Sequence, residues 1–164
     1  MASASVVGSD EIHEYIMKIL DGGFKTEELR EMIRKNPELV NAPYQNDESD
    51  LYGATPLMTL VFFYDSTRGP TYMGDFEEAV DVLIDAGADL NKSVVVAYFG
   101  DEEERDVYKL IEDRFESSPS EAENLKKMLK SAQSGGKRRR AKKSTKRKTG
   151  KRKTVKRKTR KHKH

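Results

Sequence analysis

The chain has no cysteine and no tryptophan among its 164 residues. Without cysteine there is no disulfide framework, no thiolate zinc site, no iron–sulfur cluster and no cysteine nucleophile. Long apolar runs are missing too, since the longest, around Leu57 to Phe63, falls far short of the ~18 residues that span a bilayer. The opening MASASVVGSD has neither a basic n-region nor an apolar stretch, and Ala2 is not the glycine that myristoylation needs. An intracellular protein without membrane insertion is expected. Catalytic signatures are equally scarce: there is no G-x-S-x-G elbow, no G-x-x-x-x-G-K-[ST] phosphate loop and no H-E-x-x-H pair. Asp47-Glu48-Ser49-Asp50 lacks the spaced ligands and terminal glutamate of a calcium loop. Glu102-Glu103-Glu104 reads as stabilisation of a helix start, because consecutive helical positions point in different directions. Before the C-terminal region the one histidine is His13, expected to face solvent, away from the Ile12–Ile16–Ile19 stripe. The chain therefore reads as a non-enzyme with no cofactor and no metal.

What is abundant is charge, unevenly divided. Residues 1–136 hold 13 Lys and Arg against 28 Asp and Glu, whereas residues 137–164 hold 18 Lys and Arg and no acid. The overall net charge of +3 conceals a body at −15 and a tail at +18. The body is long enough for one modest core.

Along the body, apolar residues recur at helical spacing between well-marked stops. Ser9 caps a first helix containing Ile12, Tyr15, Ile16, Ile19 and Leu20, which Gly22-Gly23 ends. Thr26 to Lys35 gives a second, with Leu29, Met32 and Ile33 on one side and Pro37 just past its end. Thr55 caps a third with Pro56 at its first position, running to about Phe63. Tyr64 to Gly74 carries loop residues, and Asp75 with Glu78 opens a fourth helix that Gly87 stops. Val94 to Phe99 suits a strand or a short buried helix. A helix is expected from about Asp101 to Phe115, and the capping box Ser118-Pro119-Ser120-Glu121 opens a last one through Leu125, Met128 and Leu129. Ser134-Gly135-Gly136 is expected to detach the tail, which divides the chain into a flexible leader 1–8, a helical domain 9–133 and a disordered basic tail 134–164.

Two segments carry a family pattern. Gly53-Ala54-Thr55-Pro56-Leu57-Met58, followed by Val82-Leu83-Ile84-Asp85-Ala86-Gly87-Ala88-Asp89-Leu90-Asn91, resembles the ankyrin repeat, with its G-x-T-P-L-H start and its helix ending in L-L-x-x-G-A-D-x-N. Ile33 to Ala42 is similar to the end of a preceding unit. The motif residues are Gly53, Thr55, Pro56, Leu57, Gly87 and Asn91. Met58 replaces the family's usual histidine, and Asn41 and Asn91 stand 50 residues apart against a period of about 33, so roughly 17 residues are inserted. The resemblance implies an all-α, ankyrin-type stack of antiparallel helix pairs: one good repeat, an N-terminal one, and a degenerate third from about Ser93 with the last helix as a cap. It also implies a monomeric protein-binding module. The family's concave face maps onto Tyr44, Met58, Thr59 and Phe62, and the insertion contributes Tyr64, Arg68 and Tyr72, residue types common at interfaces.

The tail is almost all Lys, Arg, Thr and His, with K-R-K-T repeating every five residues. Its cations are Lys137, Arg138, Arg139, Arg140, Lys142, Lys143, Lys146, Arg147, Lys148, Lys151, Arg152, Lys153, Lys156, Arg157 and Lys158, followed by Arg160, Lys161 and Lys163. Such a segment has little to bury and needs a polyanion or an acidic surface as partner. Non-specific nucleic-acid binding, or a nuclear-localisation signal read by an importin-type receptor, is expected. Thr149, Thr154 and Thr159 each follow an arginine by two residues, a pattern suited to basophilic kinases. The composition also resembles small ankyrin proteins of large DNA viruses, which would place the protein in a host nucleus or a virion. Two alternatives use the same charges differently: a self-masked switch in which the acidic body holds its own tail, and a virion or chromatin packaging adaptor.

Overall fold

The computed structural model describes residues 8–47, 49–98 and 101–148, without the side chains of 97, 98, 101 and 136–148. Six helices and one hairpin follow in the order α1 Ser9–Met17, α2 Thr26–Lys35, α3 Pro56–Phe63, α4 Pro70–Ala86, β1 Val94–Tyr98, β2 Asp101–Arg105, α5 Val107–Arg114 and α6 Pro119–Lys148, with short 3-10 turns at Lys18–Asp21, Pro37–Asn41 and Ser66–Arg68.

Each helix forms where the sequence puts an apolar stripe between a start and a stop. In α1, Ile12, Tyr15 and Ile16 face the core, and Ile19 continues the stripe through the following turn to Gly22, whose left-handed conformation ends it. The Tyr15 hydroxyl pins the next turn by donating to the Lys25 carbonyl at 2.9 Å and accepting from the Lys25 N–H at 3.0 Å. In α2, acids at Glu27 and Glu28 and cations at Arg34 and Lys35 oppose the helix dipole at the two ends. Thr55 caps α3 by accepting from the Met58 N–H at 3.4 Å, with Pro56 in the first turn.

α3 is the centre of the molecule, buried at every position from Pro56 to Val61. It packs between α1 and α5, while α4 packs between α2 and α6, so the helices form two layers of three. Within the chain, α1 meets α2, α3 meets α4 and α5 meets α6. Leu29, Leu57, Phe76, Leu83, Ile111, Leu125 and Leu129 are completely enclosed or nearly so, and each such side chain contributes about 1.5–3 kcal/mol of burial free energy.

The chain is mostly helical, roughly as the all-α class requires, with one small sheet added: Val94–Tyr98 and Asp101–Arg105 pair as an antiparallel hairpin with Val95 opposite Glu104 and Val96 opposite Glu103. Three expectations change. The acid run that suggested a helix start is strand instead, and the start lies at Asp106, whose carboxylate accepts from the Lys109 N–H at 2.8 Å. Helix α4 begins at Pro70 rather than Asp75, so the inserted loop is shorter. Proline's fixed φ suits the first turn, and the added turn buries Tyr72 against Phe76, which offsets the roughly 1 kcal/mol cost of Gly74 inside a helix. Helix α6 does not stop at Ser134 but continues through Gly135 and Gly136 to Lys148. Residues 1–7 of the expected leader and 149–164 of the expected tail lie outside the described residues.

Candidate functional site

His13 lies at the junction of the first two helix pairs and is fully buried, contrary to the solvent-facing position expected for it. Its Nε2 lies 3.1 Å from the Ala42 carbonyl and its Nδ1 lies 2.7 Å from the Thr59 hydroxyl. A carbonyl oxygen only accepts, so Nε2 carries the proton and Nδ1 accepts from Thr59. The Tyr44 ring stacks on the imidazole at 4.9 Å. Burial lowers the His13 pKa from 6.5 to about 4, against the opposing influence of the Ala42 hydrogen bond and the Asp10 charge. The arrangement is a neutral, satisfied cross-link among α1, the segment after α2, and α3.

A second junction sits beside it. The Asn41 side chain donates to the Gly87 carbonyl at 3.1 Å and accepts from the Asp89 N–H at 2.9 Å, and the Lys92 ammonium donates to the Asn41 carbonyl at 2.9 Å. The turn after α2 is thereby stitched to the turn after α4. Asn91, the corresponding asparagine fifty residues on, is exposed and its N–H bonds to the Asp89 carboxylate.

The residues proposed for partner contact mostly serve the core. Tyr44, Met58, Thr59, Tyr64 and Tyr72 are buried, so they hold helices together rather than form an open surface. Tyr64 meets Phe76 and Phe115 edge-on at 5.2 and 5.8 Å, and the Tyr72 hydroxyl donates to the Phe63 carbonyl. Burial pushes both phenol pKa values up. Of the same set, Phe62 is half-buried under the Arg114 guanidinium at 5.2 Å. Arg68 is exposed, lies 5.4 Å from the Tyr72 ring and donates to the Leu20 carbonyl at 3.2 Å.

Exposed apolar surface gathers elsewhere, at the hairpin. Among the described residues the large hydrophobic side chains left exposed are Val95, at 57%, and Tyr52, at 39%. Gly53, which follows Tyr52, has φ at +83° and lies so close to β1 that a Cβ there would collide with the Val95 carbonyl oxygen. On the opposite side of the hairpin Arg105 is buried, donating to Asp113 at 2.7 Å and to the Val96 carbonyl at 3.2 Å and pairing with Glu103 at 3.3 Å. Glu103 also meets Lys109 at 3.2 Å. Glu102 and Glu104 are exposed, and no ion pair involves them among the described residues.

Lys137, Arg138, Arg139, Arg140, Lys142, Lys143, Lys146, Arg147 and Lys148 all fall on the α6 backbone. The cations from Lys151 onward and Thr149, Thr154 and Thr159 lie outside the described residues. Among the described residues no cluster of three metal-ligating side chains occurs, and no helix is long and apolar enough to cross a membrane.

His13 and Arg105 are the residues that sequence reasoning missed. Arg105 is the only cation in the stretch from Asp101 to Asp106, which was a signal for local pairing. Comparison of the chain with protein-family models, with curated proteins and with solved structures gives no match.

Proposed function

We propose that residues 9–133 are an ankyrin-type module that binds another protein, and that the Lys/Arg-rich segment from Lys137 onward binds polyanions, nucleic acid foremost, and directs nuclear entry. The observation that carries the first half is the two-layer order, α1–α3–α5 against α2–α4–α6, with excursions after α2 and α4 joined through Asn41. His13 supports the same reading, since it ties the first helix pair to the second through Thr59 of α3. The protein acts by binding rather than by catalysis.

The second half rests on charge density: 18 Lys and Arg in 28 residues with no acid. Each phosphate neutralised releases counterions, so eight to ten contacts give a slope of log K against log salt of about −7 to −9 on duplex DNA. Sequence preference is slight, because aromatic residues that could stack on bases are absent from Lys137 to His164. Anisotropy titration of a labelled duplex at several salt concentrations tests this. A slope shallower than about −2, or undiminished binding by a chain ending at Gly136, would overturn it.

A further inference from the structure

We infer that the outer face of the β1–β2 hairpin is a docking site for this chain's own C-terminal segment, residues 149–164. The inference rests on the hairpin and the charge division and is independent of the ankyrin-type reading.

The face has an apolar centre and an acidic margin. Val95 and Tyr52 are both exposed, and Gly53, next to Tyr52 in the chain, lies against the Val95 carbonyl. Glu104 is the cross-strand partner of Val95, and Glu102 lies two residues along the same strand and the same face. Asp50, two residues before Tyr52, is exposed as well. Acidic residues are poor strand formers, yet Glu102 and Glu104 occupy a two-stranded sheet with no ion pair among the described residues, in contrast to Glu103 on the other face. A surface of this kind matches a segment with an apolar residue between cations.

The chain supplies such a segment. Val155 is the one aliphatic residue after Lys148, and Lys153 and Arg157 flank it at a spacing of two. In extended form Lys151 joins these three on one side; Lys151 and Lys153 then stand roughly 7 Å apart, the repeat that also separates Glu102 from Glu104, and Arg157 lies beyond Val155. Placement agrees with composition. Glu121 of α6 bonds to Ser66 just before α4, and Lys127 to Ala132 line a groove with Glu77 to Asp81, so α6 runs alongside α4 in the same direction. α4 leads into β1, and α6 therefore leaves the body at the end where the hairpin stands. From Ala132 to Lys148 the helix advances about 24 Å, and the seven residues from Thr149 to Val155 can span about 24 Å, the length needed to bring Val155 back to the end of the body.

The absence of native cysteine makes the test direct. In the full chain, Val95→Cys combined with Val155→Cys is oxidised under mild conditions at low salt and read by intact mass and non-reducing electrophoresis. The expected result is an intramolecular disulfide whose rate is independent of protein concentration. Adding Glu102→Gln and Glu104→Gln should slow it about tenfold, the loss of two exposed ion pairs, and 0.5 M salt should act likewise. Tyr52→Cys with Val155→Cys gives a second readout, and an unchanged circular-dichroism melting curve verifies the fold of each variant. Cross-linking between molecules, or a rate indifferent to the glutamate substitutions and to salt, would overturn the inference.

Discussion

Acidification should weaken this fold through one residue, His13, before the carboxylates contribute. The unfolded chain takes up a proton at this imidazole near pH 6.5, while the folded chain resists until about pH 4. Between those values the unfolded state binds more protons, so stability falls as pH falls and is fully retained only above 6.5. The whole gap corresponds to about 3 kcal/mol, of which about 2 kcal/mol is lost between pH 7 and pH 5. His13→Gln supplies the comparison. It should be less stable at pH 7 by about 1–3 kcal/mol, because a buried network made for an imidazole loses partners, but its stability should change little from pH 7 to pH 5. Urea unfolding followed by far-ultraviolet circular dichroism at pH 7, 6 and 5 measures both chains. His162 and His164 are common to the two proteins and cancel in the difference. A gap between the original chain and the variant that stays constant over this range would refute the buried neutral imidazole.

Two other substitutions probe the hairpin. Gly53→Ala should destabilise the protein by about 1–3 kcal/mol, since alanine must adopt φ near +83° and displace β1 at the Val95 carbonyl, and hydrogen exchange at Val94 to Val96 should accelerate. Asp113→Asn should cost about 1–3 kcal/mol in urea unfolding because it leaves the buried Arg105 short of its nearest anion, whereas Glu103→Gln, removing a half-exposed partner, should cost under about 1 kcal/mol. The reverse order would contradict the assignment of Asp113 as the principal partner.

Legibility in the sequence followed the range of the forces involved. The start of α3 was readable because Thr55 and Pro56 act within one turn, and the stop at Gly87 was readable because a left-handed residue is a local requirement. His13 was not readable from α1 alone: its position flanks the stripe and becomes interior only when α3 and the Ala42 segment cover a second side of the helix. The same holds for Thr59 and Tyr72, whose hydroxyls are satisfied across 46 and 9 residues along the chain, and for Tyr44, whose ring stacks on His13. The hairpin escaped because its acidic strand has the composition of a helix start, and its stability depends on Arg105 reaching Asp113 from the following helix.

The body's negative charge contributes little to holding the body together. Apart from those of Arg105 and Lys126, the ion pairs among the described residues join side chains that are two-fifths or more exposed, and such pairs are worth about 0–1 kcal/mol each. The excess of 28 acids over 13 cations is instead a mutual repulsion that the apolar core must outweigh. Stability gives no reason for a small helical domain to carry that excess, nor for two glutamates to occupy an exposed strand beside Val95. An external counter-charge does. Whether it comes from the +18 segment of the same chain or from a basic partner, the acidic residues make sense as the complement of something outside the described fold, and the hairpin is where their charge meets exposed apolar surface.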